Sequence, residues 1–296
     1  MVLKAFGATA TGRRAYRVLG NRLMSDRHSV LGAGARARGM WVWDEIGARL
    51  PVGERRPRVL ELGTGWTHFY GLFLRLAYPV ELVFFDVVDN RNLEALRSRF
   101  AHVVHWLRGL DAPDERVKDA ISLAERVCRA QSFEALYRLV GATYVVNPAG
   151  SFAGVVESPF DCVMSMDVLE HVPVEDVDNC VAAIARVLAR GGLSAHQIGL
   201  NDHLSSYAPG MPAKNFIRFR ETTWKLLFEN RLQYVNRLPP SEFRRLFADQ
   251  ALELQAESLE CDWETLGSRL RPAGRFAQLG PDDLCATRMT VVHTRV

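Results

Sequence analysis

Glu61-Leu-Gly-Thr-Gly65 joins a carboxylate to two glycines at the end of the apolar run Arg58-Val-Leu-Glu-Leu62, and Asp86 closes a second apolar run, Glu81-Leu-Val-Phe-Phe85. Glycines at 63 and 65 let a chain turn tightly out of a strand and bring bare backbone against a ligand, while a carboxylate at Asp86 can accept two hydrogen bonds from ribose hydroxyls. Together these residues read as a seat for an adenosyl group. Asp89 is a second candidate for the ribose, and a turn or helix-capping acid is the structural alternative for Asp86. A dinucleotide seat would continue to a third glycine at position 68, where a helix N-terminus packs against pyrophosphate. His68 stands there instead, with Trp66 crowding the turn. The motif therefore suits a ligand without phosphates. Glu61 would meet that ligand's ammonium or organise the loop amides; a buried carboxylate bonded to backbone is its other reading.

A second set of residues able to do chemistry follows the run Phe160-Asp-Cys-Val-Met-Ser-Met166: Asp167-Val-Leu-Glu170-His171, with His203 further along in Asn201-Asp-His203. Three uses compete for Asp167, Glu170 and His171. Asp-x-x-Glu has the spacing of a capping box at a helix start. His171 can serve as a general base. An acid, a second acid and an imidazole on one helical face also make a ligand set for a divalent cation, the least favoured of the three, and no metal residues are assigned. The base reading gives catalysis to His171 and His203, the latter with a capped turn as its alternative. Arg218, Arg220, Trp224, Tyr234, Asn236 and Arg237 either line an acceptor pocket or belong to an amphipathic helix.

The elements that must carry these residues alternate. Strands are expected at 58–62, 81–87, 143–146, 160–166 and 193–199, with helices at 66–77, 91–99 and 174–190; two last strands fall at 252–259 and 287–294. Strands separated by helices imply a parallel sheet with crossover connections. In 174–190, Val177, Val181, Ile184 and Leu188 recur at helical spacing, and Gly191-Gly192 is a stop signal. Residues 1–57 read as an N-terminal helical cap, with helical patches at 14–24 and 40–50, and residues 58–296 as the main domain. Within it, 104–140 is a helical insertion over the site. Residues 200–247, punctuated by Gly210, Pro212, Pro239 and Pro240, form a polar, aromatic acceptor-side segment rather than a core element.

Glu-Leu-Gly-Thr-Gly, the Asp86 position, Phe160-Asp-Cys-Val-Met-Ser-Met-Asp-Val-Leu-Glu-His171 and Ala185-Arg-Val-Leu-Ala-Arg-Gly-Gly-Leu193, in this order, resemble the successive motifs of class I S-adenosylmethionine-dependent methyltransferases. The resemblance covers residues 58–199. It implies a Rossmann-like α/β fold, a seven-stranded, mostly parallel sheet with an antiparallel last strand, and S-adenosylmethionine as cofactor. It places the methionine moiety beside Glu61, Gly63 and Gly65, the ribose on Asp86, and Ser165, Met166 and Asp167 around the methyl group. Asn147 stands where the family often has an acid touching the adenine amine, a departure from the pattern. Residues 198–203, 215–220 and 234–237 resemble a bacterial branch of the family linked to surface-polysaccharide and secondary-metabolite pathways, which implies O-methylation of a hydroxylated small molecule or saccharide. The alternatives are a non-catalytic, methyltransferase-like binding protein and an NAD-dependent oxidoreductase, the latter disfavoured by His68.

The whole chain is consistent with this reading. Its 296 residues are 48% hydrophobic and 24% charged, and the net charge of +3 is scattered, so no obligate nucleic-acid partner is implied. No uncharged run reaches membrane-spanning length. Five cysteines, none in a C-x-x-C pair, fit a cytoplasmic setting better than a zinc or redox site. Oligomeric state has no signature in the sequence.

Overall fold

Val59, Leu60 and Leu62 are each almost wholly buried in β1 (Arg58–Leu62), as expected of a strand covered on both faces. The computed structural model describes residues 30–51, 53–152, 155, 159–207, 210–230, 232–263 and 270–296. β1 pairs in parallel with β2 (Glu81–Asp86) and β4 (Phe160–Met166), and β2 pairs in parallel with β3 (Ala142–Val146). With β5 (Leu188–Gly199), β6 (Leu252–Cys261) and β7 (Ala286–Arg295), the seven strands run in the order β3-β2-β1-β4-β5-β7-β6. The β6–β7 pairing is antiparallel. This is the sheet that the sequence motifs imply.

The described residues fall into two units, one of residues 30–166 with 186–195, the other of residues 167–185 with 196–296. The first holds β1 to β4 and five helices: α1 (Ala33–Trp41), α2 (Phe69–Ala77), α3 (Leu93–Arg108), α4 (Glu115–Cys128) and α5 (Phe133–Val140). Side-chain caps start three of them, Asn92, Asp114 and Ser132 each accepting from the amide three residues on. α3 runs nine residues beyond the expected 91–99, because Phe100, Val103, Val104 and Leu107 keep one face buried. Residues 104–140 carry the end of α3, then α4 and α5, and α4 packs against α3 and α2. Of the N-terminal patches, 40–50 is helical in π and 3-10 turns after α1, whereas 14–24 lies outside the described residues.

The second unit contains most of α6 (Val177–Val187), then α7 (Glu221–Leu227), α8 (Pro240–Asp249) and α9 (Pro281–Cys285). Two expectations need correction. α6 stops at Val187, and Leu188 already begins β5; Gly191, at φ 75°, turns within that strand instead of ending the helix. Residues 200–247 do build core: Phe216, Ile217, Trp224 and Val235 cluster with Leu270 and Phe276, and Pro240 opens α8, where a missing amide hydrogen costs nothing. The register of β6 on β7 sets Cys261 opposite Ala286, which brings it to Cys285, and the two form a disulfide that cysteine spacing did not signal.

Within this unit, His196 stacks on one face of Phe247 and His293 also stacks on Phe247, at centroid separations of 5.5 and 4.3 Å. Burial holds both imidazoles well below their usual range, His196 at about 3 and His293 at about 4. The unfolded chain takes up these protons near pH 6.5 and the folded chain does not, so stability is lost as pH falls through that window. The thermal midpoint should therefore drop between about pH 7 and about pH 4.5, and His293→Phe should make the drop shallower. Thermal melts across that range test this; identical pH slopes for the two proteins would contradict it.

Candidate functional site

The turn after β1 is built as the sequence predicts. Gly63 and Gly65 both take left-handed backbone, at φ 64° and 62°, where a side chain is strained. The Gly63 amide donates to the Phe85 carbonyl at 2.8 Å, tying the turn to the end of β2. Asp86 completes the link: its Oδ2 accepts from the Gly65 amide at 3.1 Å and its Oδ1 from the Val88 amide at 3.2 Å. Burial raises its pKa, against the pull of those amides. Beside Gly65 there is open space, for a Cβ added there would meet nothing within 4 Å. A bare loop edge facing open space, with an acid fixed at its side, fits an adenosyl ligand.

Glu61 lies behind the turn, bonded to backbone. It is only 2% exposed, and its Oε2 accepts from the Gly71 amide in α2 at 2.8 Å. Burial lifts its pKa to about 8. Its carboxylate thus braces the start of α2 behind the glycine turn. Adding a methyl at Gly71 would drive into Glu61 Oε2 and come within 2.7 Å of the Phe84 ring. Gly71→Ala should cost about 1–3 kcal/mol of stability, read from chemical denaturation; an unchanged midpoint would show that the brace is slack.

His68 occupies the place of the missing third glycine and adopts the backbone a glycine would, at φ 47°, just before α2. Its ring is fully buried among Phe84, Phe133, Tyr137 and Tyr144. Burial lowers its pKa to about 3. It is a neutral core group. Asn147, at the end of β3, directs its amide into a local turn, donating to the Ser151 carbonyl at 2.8 Å and accepting from the Ala149 amide at 3.1 Å. Ser165 is fully buried in β4, in register with Leu62 of β1. Asp89, the second ribose candidate, is paired with Arg91 at 2.8 Å.

Asp167, Glu170, His171 and His203 all belong to the second unit. The capping-box reading of Asp167 and Glu170 fails. The segment is a single 3-10 turn, Leu169–His171, and the Glu170 Oε1 accepts from the Gly199 amide of β5 at 3.0 Å instead of capping a helix. Asp167, at φ 56°, is ion-paired with Arg288 of β7 at 2.5 Å, a partner no spacing rule singled out. His171 and His203 come together, with ring centroids 4.9 Å apart. The exposed His171 ring is oriented by its Nδ1, which lies 2.7 Å from the Tyr234 carbonyl. A carbonyl can only accept, so Nδ1 carries the proton and Nε2 the free lone pair. Asp202 holds the turn that presents His203, its Oδ1 accepting from the Leu204 amide at 2.9 Å. Burial lowers the His203 pKa to about 4, with His171 adding to the effect.

Four residues suggested for an acceptor pocket have internal duties. Asn236 donates to the carbonyls of Leu169 and Val172, at 2.8 and 3.2 Å, and its own amide donates to the Glu170 carbonyl at 2.8 Å. Trp224 is core, and the Arg237 guanidinium is buried against it. Tyr234 accepts through its hydroxyl from the Val174 amide at 3.2 Å. Residues 234–236 therefore pin the turn that bears Glu170 and His171, a role the sequence did not disclose.

Compared with known proteins, residues 37–257 match the family model of a methyltransferase domain. No curated protein matches. Among solved structures, the chain is similar to a chain of the complex between the Haloferax volcanii Trm112 methyltransferase activator and a methyltransferase, at 14% identity over 95% of this chain and 96% of that one, with a TM-score of 0.45. It is similar to the magnesium protoporphyrin IX methyltransferase of Synechocystis with bound S-adenosylhomocysteine, at 12% identity over 100% and 98%, TM-score 0.44. An O-methyltransferase family protein from Burkholderia thailandensis matches at 12% identity and TM-score 0.45; this chain is covered in full but spans 64% of that one.

Proposed function

The chain belongs to the class I S-adenosylmethionine-dependent methyltransferases, and we propose on that footing that it methylates an oxygen of a hydroxylated small molecule or saccharide. The bound donor supplies an electrophilic methyl group on sulfur. Gly63 and Gly65 would give the donor its backbone contact and Asp86 its ribose contact, with Glu61 holding the turn from behind. Ser165 and Asp167 remain proposed contacts near the methyl group, and Asn147 a proposed contact to adenine. What the chain must add is alignment of the acceptor and the handling of one proton.

One observation favours a hydroxyl acceptor: the paired imidazoles of His171 and His203, with the His171 Nε2 lone pair left free by the Tyr234 carbonyl. A neutral hydroxyl loses its proton only to a waiting lone pair or to something that acidifies it, and this pair is where we place that release. The test is an acceptor screen with labelled donor, comparing saccharides and hydroxylated small molecules with amines of similar size. Turnover of hydroxyl acceptors, reduced in His171→Ala and His203→Ala, is the expected result. Turnover of amines alone would overturn the oxygen assignment, and donor binding without turnover of any acceptor would point to a binding protein. In the same preparation, Asp86→Ala should weaken donor affinity at least about tenfold, the loss of one charged hydrogen-bond acceptor, measured by calorimetry; equal affinities would remove Asp86 from the seat.

A further inference from the structure

We infer that the Cys261–Cys285 disulfide is a redox-sensitive tie that holds the His171 and His203 turns in place, so that its reduction by a dithiol separates the two imidazoles. The inference rests on the imidazole pair to which proton release was assigned, and names what regulates it. Both cysteines and both turns lie in the second unit.

The tie sits where the ladder of β6 on β7 is broken. Glu260 faces Arg288 and Cys261 faces Ala286, so Thr287 is left over as a bulge. Bulges re-aim the groups around them, and this one serves both turns. The Thr287 carbonyl accepts from the Leu200 amide at 2.8 Å, just past β5 and shortly before His203. The next residue, Arg288, pairs with Asp167, which leads into the turn of Glu170 and His171. Two consecutive residues of β7, close behind Cys285, thus anchor the approaches to both histidines.

Little else secures that end of the sheet. β6 is the edge strand, and apart from Leu252 its residues are exposed or half-buried, so few apolar contacts hold it down. Around the bulge the Asp262 amide donates to the Cys285 carbonyl at 2.9 Å and the Thr287 hydroxyl to the Glu260 carbonyl at 3.1 Å. Glu260 also lies 3.6 Å from Arg288, so movement of Glu260 disturbs the partner of Asp167. Cys261 is half-buried and Cys285 fully buried, which directs a dithiol's thiolate to the Cys261 sulfur. The S–S bond breaks, its electron pair leaves on Cys285, and Cys285 takes up a proton. The reductant's second thiol then attacks the mixed disulfide and frees Cys261 as a thiol; two electrons have passed, and the dithiol ends as a disulfide. The Asp282 carbonyl, 3.5 Å from the Cys285 sulfur, is an acceptor for the new thiol, so the open state is accommodated as well.

The intact chain, with labelled histidine and without donor or acceptor, is equilibrated in buffers ranging from oxidised glutathione to reduced dithiothreitol. Alkylation with peptide mapping follows the two thiols, and nitrogen NMR of the rings, assigned with His171→Asn and His203→Asn, follows the imidazoles. The expected result is one two-electron transition in which Cys261 and Cys285 become alkylatable while both ring signals shift, His171 losing its fixed Nδ1–H tautomer. Cys261→Ala should show the reduced pattern in every buffer, and the wild type in its two states carries the test even where that variant does not fold. Turnover of a hydroxyl acceptor should fall at least about tenfold across the same transition. Ring signals that ignore the opening of the bond, a Cys261→Ala protein with the oxidised pattern, hydroxyl turnover unchanged by reduction, or thiols that never close under oxidised glutathione would each overturn the tie. Because the ring signals need neither methyl donor nor turnover, their failure leaves the methyl-transfer reading to its own assay, and an acceptor screen without hydroxyl turnover leaves the link between disulfide and imidazoles standing.

Discussion

Gly65→Val should eliminate measurable binding of S-adenosylmethionine, a loss of at least about a hundredfold, while the chain stays folded. The expectation combines two features of one residue. At φ 62° the backbone is left-handed, so a β-branched residue there costs about 1–3 kcal/mol. A Cβ at this position nevertheless meets nothing within 4 Å. The strain is thus local and survivable, whereas the added isopropyl group fills the space that a ligand would occupy. The Gly65 amide also donates to Asp86 at 3.1 Å, and any shift of the turn to relieve strain would loosen that link. Gly65→Asn separates the two contributions: asparagine tolerates left-handed backbone, so it should melt close to the wild type yet still bind the donor poorly. Calorimetric titration of both variants beside thermal melts is decisive. A Gly65→Val protein that binds the donor normally would show that the open edge is not the seat.

The first unit was legible in the sequence because its signals are local. Val59, Leu60 and Leu62 read as a covered strand, the glycine pair as a tight exit from it, and Asp86 as the acid at the next strand end. Each inference needs only neighbours along the chain and the rule that parallel strands are buried on both faces. Glu61 has two readings in the sequence because a buried acid looks the same whether it meets a ligand or a backbone amide; only the fold supplies its partner, the Gly71 amide. The capping-box alternative for Asp167 and Glu170 fails, and the orientation of His171 has no sequence signal, because the partners of all three are distant. Gly199, Tyr234 and Arg288 lie 29, 63 and 121 residues from the groups they engage, and no periodicity connects them. Residues 200–247 were misjudged for a related reason. Prolines and polar residues suggested a surface segment, but Phe216, Trp224 and Phe276 gather around a buried arginine, and aromatic residues collected from separate turns leave no regular pattern.

That arginine carries the second large expectation: Arg237→Ala should destabilise the chain by about 3–5 kcal/mol. Its side chain is 2% exposed, and its guanidinium lies 4.7 Å from the Trp224 ring centroid and 4.8 Å from that of Phe276. Nη2 donates to the carbonyls of Phe216 and Phe219 at 3.0 and 2.8 Å, and Nη1 reaches Glu221 at 3.3 Å. Truncation removes the packing on the rings and strands two carbonyls, whose desolvation alone costs about 1–3 kcal/mol each. Arg237→Lys should recover little, because an ammonium on a flexible stem cannot lie flat between rings while donating in two directions. Denaturant unfolding of the two variants measures both effects, and a loss below about 1 kcal/mol for alanine would show that the rings close over the gap. The position also links stability to chemistry. Arg237 follows Asn236, the residue that ties down the turn bearing Glu170 and His171. Under conditions where Arg237→Ala is still folded, its turnover of a hydroxyl acceptor should therefore fall although it touches neither imidazole, and turnover equal to wild type would show that the turn is rigid without its anchor.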